Sequence, residues 1–340
     1  MKPLEVTILL LNDCYASTTL APIEVFHSAG RLWNTLTGGE SEPCFKVTVA
    51  SLDGLPVVTP YSVGLVPEVS IDAVESTDIV VVPASGLNLD VQFEKHRALF
   101  AWLRHWHERG AYIASVCSGA AYLAEAGLLD GHEATTHWGA ADAYLKRYPR
   151  VKWRPEVFVT EDRRVLCSGG VYAAIDLSLY LVEKFCGHEI AVRTAKALLV
   201  DMPRTNQSGY ALLPLSRAHA DDKIRRAEAY MKKHFARDLP IEILAAEVNM
   251  SPRNFIRRFK EATGQVPGKY LQALRISIAR EMLEDGARSV QVICADVGYE
   301  DVAFFRALFK RLTGMTPAEY RTRFTGVRSR ETRLSGESRQ

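Results

Sequence analysis

The strongest constraint on the fold of this 340-residue chain is an internal repeat in its last third. Residues 243–270 read ILAAEVNMSPRNFIRRFKEATGQVPGKY, and residues 292–320 read VICADVGYEDVAFFRALFKRLTGMTPAEY. Phe255, Phe259, Lys260, Thr263, Gly264, Pro267 and Tyr270 recur as Phe305, Phe309, Lys310, Thr313, Gly314, Pro317 and Tyr320 at a constant offset of fifty. Leu244, Ala246 and Val248 recur as Ile293, Ala295 and Val297 at forty-nine, so the second copy has gained one residue in its turn.

A short apolar helix, a tight turn and a second helix bearing exposed Arg and Lys is how a helix-turn-helix places its second helix in the major groove. In the first copy Ser251 is expected to cap that helix through its hydroxyl, with Pro252 at the first helical position. Phe255, Ile256 and Phe259 are expected on a buried face, leaving Arg253, Asn254, Arg257, Arg258 and Lys260 as the reading surface. The second copy offers Ala303, Arg306, Lys310 and Arg311, with Glu300 or Asp301 as cap. Between the copies, Val266 to Glu284 carry Leu271, Leu274, Ile278, Ala279, Met282 and Leu283 at helical spacing, which predicts one helix of roughly 30 Å. Half-sites read from one side of DNA lie about 34 Å apart, so such a helix suits two successive major grooves.

A helical bundle with a merely solvated basic surface does not call for a repeated turn, cap and G-x-x-P-x-x-Y tail. With these motifs, the last hundred residues resemble the AraC/XylS family of bacterial transcription regulators. The resemblance implies two helix-turn-helix units joined by a long helix, hence an all-α C-terminal domain that binds double-stranded operator DNA.

The net charge of +2 hides a division. Residues 1–215 hold 18 Lys+Arg against 24 Asp+Glu, net −6, and residues 216–340 hold 24 against 16, net +8. Positive charge gathers where the repeat is. The opening MKPLEVTILLLND has too short an apolar run for a membrane span and lacks a signal-peptide cleavage pattern, so the cytoplasm is the expected location. The six cysteines show no C-x-x-C pairing, and reduced thiols are expected. His105 and His107 read as a helix surface, and neither a metal nor a cofactor is expected.

The first two hundred residues alternate apolar runs with helical periods. Strands are expected at 6–11, 45–51, 78–85 and 112–116, and helices at 20–35, 91–109 and 118–127. A further long helix runs through Ile175, Leu179, Val182, Phe185, Val192, Ala195 and Leu199. This pattern predicts an α/β domain, a mostly parallel sheet sandwiched by helices. Ligands in such sheets sit outside the carboxyl ends of the strands. Asn12 and Asp13, Pro83 to Gly86, and Cys117 with Ser118 fall there. Cys117 stands between a strand and a helix opening Ser118-Gly119, a turn that would expose a thiol and lower its pKa. A Cys after an apolar strand is also a common buried packing residue.

TLAPIEVFHSAG at 19–30, VVVPASG at 80–86, SVCSGA at 115–120, ATTHW at 134–138 and VLCSGGVYAAIDLSLYLVE at 165–183 resemble the ThiJ/PfpI, or glutamine-amidotransferase-like, superfamily. Followed by tandem helix-turn-helix units, this order is similar to the amidotransferase-like branch of AraC/XylS regulators. The resemblance implies a flavodoxin-like sheet with Cys117 at a nucleophile elbow. In the superfamily's enzymes an acidic side chain stands where this chain has Thr18, and the peptidase-like members place His where it has Ser118. A thiolate lacking both partners lacks the usual means of proton transfer, for which Glu24 or His137 would have to substitute.

The expected organisation is a sensor domain over 1–201, a linker over 202–222, a DNA-binding domain over 223–325 and a disordered tail over 326–340. The elbow is expected to be a small-molecule pocket built from Cys117, Ser118, Gly86, Thr18, His137 and Trp138, with Trp138 facing a cation. The expected protein is a non-enzymatic, cytoplasmic, ligand-responsive activator of catabolic genes. It would sense an amino acid or quaternary amine, act as a homodimer and engage RNA polymerase. The competing expectations are a bifunctional protein with a Cys117-dependent hydrolase or hydratase domain, and an architectural DNA-binding protein with an inert first domain.

Overall fold

β-branched runs alternating with amphipathic stretches build a seven-stranded sheet, in a computed structural model that describes residues 2–86, 88–211 and 219–325. The strands are β1 (Leu4–Leu10), β2 (Phe45–Ser51), β3 (Val69–Ser70), β4 (Ile79–Val82), β5 (Tyr112–Val116), β6 (Val159–Asp162) and β7 (Val165–Ser168). Their order is β6-β7-β5-β4-β1-β2-β3. All pairings are parallel except the β6–β7 hairpin. Ile79 and Val81 pack into one core with Val25, Phe26, Leu177 and Leu181, while Val80 and Val82 pack into another with Leu99, Leu103, Trp106 and Tyr122. The two-residue period thus sends alternate side chains to opposite faces, and helices cover both.

Those helices are α1 (Ser17–Ser28), α2 (Leu32–Leu36), α3 (Leu89–Lys95), α4 (Arg97–Glu108), α5 (Ala120–Glu125), α6 (Ala141–Arg147), α7 (Ala173–Cys186) and α8 (His188–Leu198). Three stretches expected as single helices are broken. The 20–35 helix divides at Ala29–Arg31, and the 91–109 helix divides at His96, whose buried imidazole meets the Tyr122 hydroxyl at 2.9 Å. The last divides at Gly187, whose φ of +89° ends α7.

The chain forms two compact units, Met1–Gln207 and Ser208–Gln340. The second contains α9 (Asp222–His234), α10 (Ile241–Glu247), α11 (Pro252–Thr263), α12 (Pro267–Glu284), α13 (Val290–Asp296), α14 (Val302–Thr313) and α15 (Pro317–Phe324). It is wholly helical among the described residues.

The two copies of the repeat are built by the same local physics. Thr263 and Thr313 donate to the carbonyls of Phe259 and Phe309, each at 2.8 Å, sealing the last turn of α11 and α14. Gly264 and Gly314 end these helices in the left-handed region, and Pro267 and Pro317 start the next ones. Tyr270 and Tyr320 then pack edge-on against Phe259 and Phe309. At 18 residues, α12 spans about 27 Å.

Parts of the 202–222 stretch are bonded chain rather than free linker. Asp176 accepts from the Arg204 backbone N–H at 2.7 Å and from its guanidinium at 2.6 Å within the first unit. In the second unit the Arg280 guanidinium donates to the Ala211 and Gly209 carbonyls, and Asp221 caps α9 through the Ile224 N–H. Residues 212–218 and the 326–340 tail lie outside the described residues.

Candidate functional site

The elbow forms because β5 delivers the chain to a sharp turn, Cys117–Gly119, before α5. Cys117 takes φ +54°, a conformation that non-glycine residues rarely adopt. Two neighbours hold it. Thr136 Oγ1 donates to the Cys117 carbonyl at 3.0 Å, and a Cβ at Gly119 would lie 2.8 and 2.7 Å from the Val82 and Pro83 carbonyl oxygens, so only glycine lets the turn approach β4. Ser118 Oγ donates to the Ser85 carbonyl at 2.8 Å, and its own carbonyl accepts from the Tyr144 hydroxyl at 3.2 Å.

Cys117, Ser118, Ser85 and Tyr144 line a cavity of about 860 Å³, within the range of small-molecule sites. Of the residues expected there, Cys117, Ser118 and His137 are in the lining. Thr18, Gly86 and Trp138 are not. Thr18 is fully buried, donating to the Tyr15 carbonyl at 2.6 Å and accepting from the Ala84 N–H at 3.1 Å, so its hydroxyl ties the end of β1 to the end of β4. Gly86 faces Gln92 and Asp13, and Trp138 lies 5.2 Å from the His137 ring. The aromatic rings in the lining are Tyr15 and Tyr144 instead.

The thiol also departs from expectation. Cys117 is only 8% exposed, and burial pushes its pKa up to about 11 against the lowering effect of the Ser118 N–H. Desolvation of the thiolate outweighs the favourable backbone. Burial also lowers the His137 pKa, and the Nδ1 of this imidazole accepts from the Gly139 N–H at 3.0 Å. Glu24 is exposed on α1 and stands outside the lining. The lining's acidic side chain, Asp90, pairs with Arg147 at 2.7 Å. Beside that pair Lys146 contributes a cation with no ion-pair partner among the described residues. Sequence reading missed Tyr15, Asn88, Tyr144 and Lys146 because α3, α6 and the loops bring them in without a local motif.

One polar chain leads from the elbow to the end of this unit. Gln207, 2% exposed, donates through Nε2 to the Thr136 carbonyl (2.9 Å), the Val157 carbonyl (3.0 Å) and Thr135 Oγ1 (3.2 Å). A Cβ at Gly169 would lie 2.7 Å from that nitrogen, so glycine leaves the room it occupies.

In the second unit, α10 and α11 are joined by residues 248–251, and α13 and α14 by 297–301, the extra residue the repeat foretold. Ser251 sits at the N-cap of α11, but its hydroxyl makes no capping bond; Pro252 instead presets the first turn. Asp301 caps α14, accepting from the Ala303 and Phe304 N–H groups at 2.8 and 3.1 Å. Phe255 and Phe259 are fully buried, while Ile256 is 37% exposed, about 100° around the helix from Phe255.

The outer surface of α11 therefore carries Arg253, Ile256, Arg257 and Lys260. Arg257 is bridged to Glu261 at 2.8 Å and to Asn254 at 3.0 Å. Arg258, expected with them, turns to Asp221 and donates to it at 3.1 Å. On α14, Ala303, Phe304, Arg306, Lys310 and Arg311 are exposed. Phe304 was not foreseen. Among the described residues no helix is long and apolar enough to cross a membrane.

An α/β elbow domain enclosing a ligand-sized cavity, in one chain with two helix-turn-helix units, defines a DNA-binding transcription regulator with a ligand-binding domain. The comparisons agree: the DJ-1/PfpI family model matches residues 5–184, and a helix-turn-helix domain model matches 244–323. The chain belongs to the DJ-1/PfpI family through its first unit and to the AraC-type helix-turn-helix regulators through its second. It is 30% identical over 252 residues to the HTH-type transcriptional regulator GlxA of Rhizobium meliloti, covering 73% of this chain and 76% of that protein. It is 28% identical over 282 residues to the HTH-type transcriptional regulator CdhR of Pseudomonas aeruginosa, covering 82% of each. The crystal structure of Drosophila melanogaster DJ-1beta, 23% identical, matches 58% of this chain and 99% of its own with a TM-score of 0.50, a likeness of fold.

Proposed function

We propose that this regulator activates catabolic genes from a promoter operator when a small nitrogenous metabolite, an amino acid or quaternary amine, occupies the elbow cavity, and that it does not transform that ligand. The observation that carries this reading is the buried thiol of Cys117, pushed up to about 11, in a cavity whose carboxylate is already paired with Arg147. A protonated thiol is a poor nucleophile, and the Nδ1 of His137, the imidazole in the same lining, is already engaged by the Gly139 N–H. Lys146 suits a ligand carboxylate, and the faces of Tyr15 and Tyr144 suit an alkylammonium group.

Signalling requires a ligand to discriminate between two arrangements of the protein. The elbow carbonyl is held by Thr136 and the Thr136 carbonyl by Gln207, so a shift of the elbow reaches the segment that leads into the second unit. In the same reading the chain acts in the cytoplasm as a homodimer, contacts RNA polymerase, and uses Arg253, Asn254, Ile256, Arg257, Lys260, Ala303, Phe304, Arg306, Lys310 and Arg311 as its DNA-reading surface.

The test is ligand-observed NMR on the full chain with a mixture of amino acids and quaternary amines. A compound that binds, persists for hours and still binds Cys117→Ala supports a sensor cavity. A compound consumed by the protein but not by Cys117→Ala overturns it in favour of a Cys117-dependent hydrolase or hydratase.

A further inference from the structure

Four of the six cysteines, Cys14, Cys117, Cys167 and Cys294, are buried. Cys44 and Cys186 differ: both are half-buried free thiols that line one second cavity of about 550 Å³ and perturb each other's ionisation, and the Cys44 Sγ also donates to the Glu42 carbonyl at 3.8 Å. The elements that bring them together are ordered. Cys44 immediately precedes β2, its N–H donating to the Ala29 carbonyl at 3.3 Å and its carbonyl accepting from the Leu4 N–H at 2.9 Å. Cys186 is the last residue of α7, fixed by the turn at Gly187, whose N–H donates to the Glu183 carbonyl. Residues 142 positions apart in the chain thus present two sulfurs to each other at a solvent-reachable cavity. Neither belongs to the elbow cavity.

We infer that Cys44 and Cys186 form a reversible thiol–disulfide modification site whose co-substrate is a low-molecular-weight disulfide of the glutathione class. Interaction between the two thiols lowers the Cys44 pKa, against burial and the nearby Glu42 carboxylate, while that interaction and burial raise the pKa of Cys186. In this site Cys44 attacks and Cys186 resolves.

In the first step the Cys44 sulfur bonds to one sulfur of the small disulfide, whose S–S bond breaks and releases a thiolate. In the second step Cys186 gives up its proton, its sulfur bonds to the Cys44 sulfur, and the second small thiolate leaves. Two protein thiols lose two electrons, the small disulfide gains them, and the two thiol protons end on the released thiols. The product links the start of β2 to the end of α7, and a small thiol in excess reverses it.

The test uses the reduced full-length protein incubated with oxidised glutathione, quenched by alkylation and mapped by mass spectrometry under denaturing conditions. The expected product is monomeric, carries alkyl groups on the four buried cysteines alone and yields a peptide pair joined through Cys44 and Cys186 that dithiothreitol separates. In Cys186→Ser a glutathione adduct remains on Cys44, and in Cys44→Ser the cross-link is lost while circular dichroism stays unchanged. Full alkylation of all six cysteines after oxidation, a cross-link only between chains, or oxidation of Cys117 with Cys44 and Cys186 still alkylatable overturns the inference. The Cys186→Ser adduct separates a reactive Cys44 from a merely close pair.

Discussion

Replacing Gln207 by Leu tests how much its side-chain amide adds to the bonds that seat the segment ending the first unit. The side chain is 2% exposed, and its nitrogen reaches two carbonyls and a hydroxyl at 2.9–3.2 Å. Leucine fills a similar volume but offers no donor, so the Thr136 carbonyl loses its 2.9 Å partner where water does not easily replace it, while the Val157 carbonyl keeps the Thr135 hydroxyl at 2.9 Å. One stranded carbonyl costs about 1–3 kcal/mol. For a unit of this size that lowers the melting temperature by roughly 3–9 °C. The assay is thermal unfolding of the full chain, paired with operator binding in the presence and absence of effector. The reading expects a lowered first transition, unchanged effector-free operator affinity and a weakened effector response. A melting temperature within about 1 °C of the parent refutes the seating of Gln207, because a loss under roughly 0.5 kcal/mol does not accommodate a stranded Thr136 carbonyl.

Arg253→Ala should lose about 1–3 kcal/mol of discrimination among operator variants if Arg253 meets a base edge, whereas Arg258→Ala should destabilise the second unit and leave base preference intact, because its guanidinium is engaged by Asp221; competition binding and thermal melts separate the two. With some 6–8 phosphates neutralised, log affinity should fall against log salt with a slope of about −5 to −7, and a flat titration would count against the basic surface. Cys117 and Cys167 are both raised by burial from 9.0 to about 11, so their contribution is full below the unfolded value and vanishes as pH climbs from 9 to 11. Denaturant melts over that window should lose about 2–3 kcal/mol per thiol, and Cys117→Ala should flatten the decline. Gly119→Ala pushes a methyl against the Val82 and Pro83 carbonyls, expected to cost about 1–3 kcal/mol, measurable as a lower denaturation midpoint.

What the sequence made legible is what single residues decide locally. Thr263, Gly264, Pro267 and Tyr270 each have a backbone or packing role that any second copy must repeat, so Thr313, Gly314, Pro317 and Tyr320 disclosed the same turn and the same helix start. The central strands were equally plain, because a run such as Ile79–Val82 is buried on both faces, whereas the two-residue β3 and the β6–β7 hairpin at 159–168 were not foreseen. Misreadings came where a residue's partner is distant in the chain. Arg258 resembles any surface arginine until Asp221, 37 positions earlier, is brought beside it. Ile256 reads as core by type, yet a helix leaves it outside the buried sector of Phe255 and Phe259. The cavity's polar lining from α6 has no motif at all, since Tyr144, Lys146 and Arg147 acquire meaning only when packed over Cys117.

The elbow keeps its shape without needing an ionised thiol. Its unusual backbone at Cys117 is stabilised by Thr136, by the close approach at Gly119 and by the Ser118 bond to Ser85. None of these interactions requires an ionised thiol. The resemblance to the superfamily's enzymes implies an acidic side chain where this chain has Thr18, a neutral hydroxyl bonded to Tyr15 and Ala84. Burial alone holds the Cys117 pKa at about 11, against ionisation of the thiol. The cavity beside it carries its charges at Asp90, Lys146 and Arg147 rather than at the sulfur. In the proposed sensor a ligand held there would be recognised through its charge and shape, and the hydrogen bonds from the elbow through Thr136 to Gln207 would give its occupancy a route out of the cavity.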